Sequence, residues 1–102
     1  MTISVLTPDR TIFTGSIKSI SLPGVDGSFQ LLNNHAPLVS ALGGGNVTLQ
    51  TAGETYRYYD EEANTIAEGE GSRSLTFTIL HGFVEVLNNE VNLLVQGARN
   101  LR

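Results

Sequence analysis

His35 and His81 are the only histidines, and there is no cysteine, so few side chains are available as strong metal ligands. A metal centre needs three or four convergent donors, and two imidazoles separated by 45 intervening residues do not suggest one. His81 sits between Leu80 and Gly82 and reads as an ordinary strand-start residue, while His35 lies in a loop where its ring can bond the turn backbone or meet a partner. Serine, histidine and aspartate are all present, but no Gly-x-Ser-x-Gly elbow accompanies them, so no hydrolytic triad is indicated. Gly43-Gly44-Gly45 lacks the Lys-Ser/Thr ending of a phosphate-binding loop and is read as a turn. Glu61 and Glu62 are sequence neighbours on an acidic stretch, not two carboxylates facing each other across a cleft. Tyr56, Tyr58 and Tyr59 offer stacking area for a sugar, although alternation also makes Tyr56 and Tyr58 half-buried strand aromatics. The residues therefore point to a chain with no catalytic activity of its own, no cofactor and no metal.

Those side chains must be positioned by one small domain spanning residues 1–102. Hydrophobic residues make up 40% and charged residues 16%, a composition that can bury a core without disulfides. Six basic against ten acidic residues leave a net charge of -4, which argues against nucleic-acid binding. No apolar run reaches the ~18–20 residues that a spanning helix requires, so direct bilayer insertion is not expected. The start of the chain also lacks the basic and continuously apolar pattern of a signal peptide.

The prevailing period is two. Ile3 and Val5, then Val47, Leu49 and Thr51, then Val84 and Val86, then Val91, Leu93 and Val95 each alternate with other residues, as in strands with one buried face. Asn88-Asn89 predicts a tight hairpin between the last two of these. Thr7-Pro8-Asp9-Arg10 predicts another turn, followed by a strand from Thr11 to Thr14 ending at Gly15. From Ile17 to Leu22 the parity breaks, because Ile17 is odd while Ile20 and Leu22 are even; a bulge would restore all three to one face, the alternative being a strand buried on both sides. Further strands are read at Ser28 to Leu32, between turns at Asp26-Gly27 and Asn33-Asn34, and at Thr55 to Tyr59 and Leu75 to Leu80. Asp60 to Ser74, rich in Glu and Gly, is read as an acidic, solvated loop, with a short helix over Asp60–Ala67 as its alternative. The expected fold is all-β, a flattened sandwich or barrel of about nine or ten short strands with no C-terminal helical hairpin.

Leu22-Pro23-Gly24-Val25-Asp26-Gly27-Ser28-Phe29-Gln30-Leu31-Leu32-Asn33-Asn34-His35-Ala36-Pro37-Leu38-Val39 resembles the N-terminal β-sandwich of the epsilon subunit of rotary, F-type ATP synthases. The family pattern there is a Pro-Gly or Thr-Gly, an acidic-Gly turn, an apolar strand and a His-Ala-Pro-Leu. Thr7 to Gly15 is similar to the family's opening hairpin, Leu42 to Val47 to its glycine-containing link, and Gly82 to Val95 to its closing hairpin. The sequence departs from the pattern at Asn33-Asn34, where a Pro-Gly is usual, and in the length of the Asp60–Ser74 stretch. Family members typically continue into a two-helix hairpin, whereas Ala98 to Arg102 allows at most one helical turn; ATP binding and inhibition through that hairpin are not expected here.

The resemblance implies a non-catalytic central-stalk subunit of a proton- or sodium-translocating ATP synthase, linking c-ring rotation to the gamma shaft for ATP synthesis. It implies a peripheral location on the cytoplasmic face of a bacterial membrane. Carried over by position, Val25, Asp26, Gly27, Ser28 and Phe29 would face the c-ring, with Asp26 offered to basic loop residues and Ser28 replacing an acidic residue of some members. Thr7, His35 and Ser40 would face gamma, and an exposed apolar patch beside them would mark the partner surface. The competing expectation is a stand-alone β-sandwich that binds a ligand such as carbohydrate through Tyr56, Tyr58 and Tyr59.

Overall fold

Residue parity dictates the architecture, and the computed structural model, which describes residues 1–99, shows how. Ten strands run in order: β1 (Thr2–Leu6), β2 (Thr11–Gly24), β3 (Gly27–Leu32), β4 (Leu38–Leu42), β5 (Gly45–Thr51), β6 (Tyr56–Asp60), β7 (Thr65–Gly69), β8 (Ser74–Ile79), β9 (His81–Leu87) and β10 (Glu90–Gln96). They form one continuous hydrogen-bonded sheet that folds over on itself as a sandwich. The first layer has the order β7-β6-β2-β1-β10-β9-β4, and the second has β3-β2-β5-β8. Only β1 and β10 pair in parallel; the other pairings are antiparallel. Among the described residues there is no helix, and so none long and apolar enough to cross a membrane.

β2 belongs to both layers. Its first half pairs with β1 and β6, and its second half with β3 and β5. The crossing lies where the parity breaks. Ile17 pairs with Thr51 and Ser19 with Gln50, leaving Lys18 as the extra residue of a bulge. Ile17, Ile20 and Leu22 consequently all point into the core, at 1%, 0% and 1% exposure. The bulge bends the strand, which lets one segment serve two sheets.

Gly15, expected to end a strand, lies within β2 instead. A Cβ there would stand 2.6 Å from the Cβ of Tyr56, so glycine is required for close approach and not for a turn. Gly69 meets the same ring from β7, where a Cβ would lie 2.5 Å from it. Tyr56 is thus enclosed between two glycines, 3% exposed, and stacked on Phe13 with centroids 5.4 Å apart.

The Asp60–Ser74 stretch is not the loop that its composition suggests. Asp60 closes β6, its Oδ1 accepting from the backbone N–H groups of Glu62 and Ala63 at 3.0 and 3.2 Å. Asn64 takes a left-handed φ of 55°, and its side chain meets the Tyr59 hydroxyl. The chain then returns as β7, antiparallel to β6, with Glu68 opposite Arg57 and Ile66 opposite Tyr59. The following turn is tied down by Thr51, whose buried hydroxyl donates to Gly71 O at 2.6 Å and accepts from Arg73 N at 2.7 Å. Glu68 of β7 and the turn residues Glu61, Glu62 and Glu70 all remain in solvent.

The helical turn considered for Ala98–Arg102 lies partly outside the described residues. Gly97 turns the chain with φ 71°, and Arg99 makes a two-hydrogen-bond bridge to Thr78 of β8, both bonds 2.9 Å.

Candidate functional site: an apolar sheet face and its two flanking bends

Alternation sorts β4, β9, β10 and β1 into an inner set, including Val84, Val86, Val91 and Leu93, and an outer set that meets solvent. Unusually, about half of the outer set is also apolar: Leu6, Val39, Ala41, Phe83, Leu87 and Leu94. Register places Ala41, Phe83, Leu94 and Leu6 in one row across four strands. The next row is Val39, Glu85, Asn92 and Ser4. Leu87 begins the third, opposite Glu90. Phe83 is 59% exposed, Leu94 51%, Leu87 52% and Val39 71%. A shallow hollow of about 230 Å³ opens at one end of the face, between Leu6, Thr7 and Pro8 on one side and His81, Phe83 and Leu94 on the other.

Two bends flank this face at the ends of β4. At one end is the β2–β3 tip, where Val25 N donates to Ala41 O at 3.4 Å and Gly43 N to Pro23 O at 2.8 Å. Gly27 has φ 129°, and a Cβ there would meet nothing, so the backbone angle alone selects glycine. Val25, Asp26, Gly27 and Ser28 are exposed together at this tip. Phe29 is different: it pairs with Leu22, is half-buried and packs against the core. It anchors the tip from within.

The other bend carries His35. Asn33 Oδ1 accepts from Asn89 Nδ2 at 2.9 Å, and Asn34 N donates to Asn89 Oδ1 at 2.7 Å. This tie joins the bend to the β9–β10 turn, where Asn88 and Asn89 both have positive φ. His35 is exposed, with Nδ1 2.7 Å from Ala36 O. Thr7 lies at the opposite margin, next to Leu6, its hydroxyl accepting from Asp9 N and Arg10 N at 3.2 and 3.1 Å. Ser40 shares the register of Val84 and so has the inward parity of β4, half-buried, on the side away from Val39. Thr7 and His35 therefore border the apolar face at separate points, whereas Ser40, expected beside them, lies on the reverse side of β4, and the three do not form a cluster. Sequence reasoning passed over Phe83, Leu87 and Leu94, although each is an apolar residue at outward parity beside a buried valine.

No group of three or more His, Asp or Glu able to hold a metal occurs among the described residues. The tyrosine platform is ruled out by Tyr56, which is buried under Gly69 and unavailable to a ligand. Tyr59 is also engaged, with the Arg10 guanidinium 4.2 Å from its ring centroid.

Residues 1–62 match the family described as the beta-sandwich domain of the ATP synthase delta/epsilon chain. This chain belongs to that family. An epsilon chain from Chlorobaculum tepidum is 35% identical over 95 residues, covering 93% of this chain and 88% of the relative. Epsilon chains from Thermosynechococcus vestitus and Salinibacter ruber are 35% and 30% identical, covering 96% and 94% of this chain. Against those two longer relatives the chain spans only 57% and 58% of their length. In fold, the delta/epsilon-type sandwich is similar to a chain in the central stalk and c-ring structure of the Tetrahymena thermophila mitochondrial ATP synthase. That match has a TM-score of 0.64 at 19% identity, covering 98% of this chain and 66% of the other.

Proposed function

We propose that this chain is a non-catalytic central-stalk subunit of a proton- or sodium-translocating ATP synthase, turning with the rotor and linking the c-ring to the gamma shaft. The observation that carries the reading is the Phe83–Leu94 row, a cross-strand apolar pair left in solvent. Family membership gives that surface a context, and a stiff sandwich with one shared core suits a part that transmits torque. The gamma subunit would cover the outer face of β4, β9 and β10, with Thr7 and His35 at its margins and Ser40 behind it, at inward parity on β4. The tip at Val25, Asp26, Gly27 and Ser28 would meet the polar loops of the c-ring, with Phe29 holding the tip to the core. Asp26 would supply the charge there, since Ser28 has none. The location would be peripheral, on the side of the energy-coupling membrane where ATP is made, which in a bacterium is the cytoplasmic face.

Calorimetric titration of this chain with purified gamma tests the reading, and a stoichiometric complex is expected. No complex at any practicable concentration would overturn it. For the tip, Asp26→Lys in the reconstituted synthase should lower proton pumping per ATP hydrolysed; unchanged coupling would remove Asp26 from the c-ring contact.

A further inference from the structure

The apolar face carries a charge at its centre. Glu85 lies in the middle row, between Val39 on one neighbouring strand and Asn92 on the other, with Phe83 and Leu87 two residues away on its own strand. It is exposed, and among the described residues no cation pairs with it; the ion pair found there is Arg57–Glu68, on the β6–β7 hairpin. The strands β1, β4, β9 and β10 contain no Lys or Arg, and the other full charge of the outer face, Glu90, is also acidic. A surface meant only for water would mix both signs with polar residues, as the β6–β7 hairpin does. Here an isolated carboxylate is set among apolar side chains, and a docking partner would remove it from water.

We infer that Glu85 is the specificity residue of this face, and that its occupant is a segment of the gamma subunit with apolar residues on both sides of a Lys or Arg. This deepens the proposed stalk role and rests on it. The apolar rows supply area, while the carboxylate fixes register, because a partner lacking the cation would leave Glu85 buried and unpaired. Residues 97–99 run instead along the edge of β8 in the second layer. An Arg on the partner would suit best, its planar fork matching the carboxylate in two hydrogen bonds.

The test is calorimetry of this chain against purified gamma, with Glu85→Gln, Glu85→Lys and Phe83→Asp compared after melting curves confirm folding. Glu85→Gln should weaken binding about fivefold and flatten its salt dependence. Glu85→Lys should weaken it about a hundredfold, and reversing one basic residue of gamma to Glu should restore at least about tenfold of that loss. Wild-type binding that Glu85→Lys leaves within about twofold would overturn the inference while the stalk role stands. Failure of the wild-type chain to bind gamma would remove the stalk role itself. A dimer of this chain that Phe83→Asp dissolves, with gamma binding untouched, would assign the face to a second copy and overturn the inference.

Discussion

The β6–β7 hairpin and the β9–β10 hairpin belong to the same layer, separated by β2 and β1, and both present one side to solvent. They treat that side in opposite ways. On β6–β7 the exposed positions are mostly polar or charged, with Ile66 a single apolar exception: Arg57 faces Glu68 at 3.7 Å, and Glu61 and Glu62 occupy the turn. On β9–β10 the exposed positions include Phe83, Leu87 and Leu94 around one unpaired Glu85. The inner sides differ as well: β9–β10 buries Val84, Val86, Val91 and Leu93, whereas β6–β7 is anchored by Tyr56 alone and the rest of its inner side is half-buried or exposed. A solvated face can be recognised by its paired charges, and a face awaiting a partner by apolar residues at outward parity.

Substitutions can test this contrast at several levels. Tyr56→Ala should have the largest effect, costing about 3–5 kcal/mol in urea unfolding, because it empties the space beneath Gly69 and detaches the β6–β7 hairpin from Phe13. A loss below about 1 kcal/mol would show that the hairpin is held by its backbone pairing alone. Phe83→Asp should leave stability almost unchanged but cost about 2–4 kcal/mol in gamma binding, as expected for an aromatic at the centre of an interface. Equal losses in folding and binding would make Phe83 a core residue and erase the contrast. Asn64→Val should destabilise by about 1–2 kcal/mol, since a β-branched side chain is strained at φ 55°, whereas Asn64→Gly should be tolerated. Glu68→Ala should change stability by no more than about 0.5 kcal/mol, because the ion pair is solvent-exposed; a larger loss would mean that the solvated hairpin depends on its charges.

Much of this fold was legible in the chain. The parity break at Ile17 pointed to the bulge, because only a bulge brings Ile17, Ile20 and Leu22 to a single face. Asn88-Asn89 announced its turn because both residues tolerate the left-handed backbone that a tight hairpin demands. Two features were not legible, each for a physical reason. β7 has one large apolar residue, Ile66, and owes its strand to pairing with β6 and to the Tyr56 ring beneath it; neither is a local property. Gly15 looked like punctuation, but its role is set by a tyrosine 41 residues away. At the site, the Asp26-Gly27 and His35 bends were readable as turns, while the apolar rows appeared only once register aligned Ala41, Phe83, Leu94 and Leu6. The outward parity of Phe83 and Leu94 was present in the sequence all along. It carries meaning only when the neighbouring strands are known.

The absence of cysteine makes one measurement especially direct. Single Phe83→Cys and Glu68→Cys variants can be labelled with a maleimide, alone and with gamma added. If the outer face of β9 and β10 is the docking surface, the thiol at position 83 will be shielded in the complex and the one at 68 will label at its free rate. Shielding at 68 with position 83 still fully reactive would contradict the account.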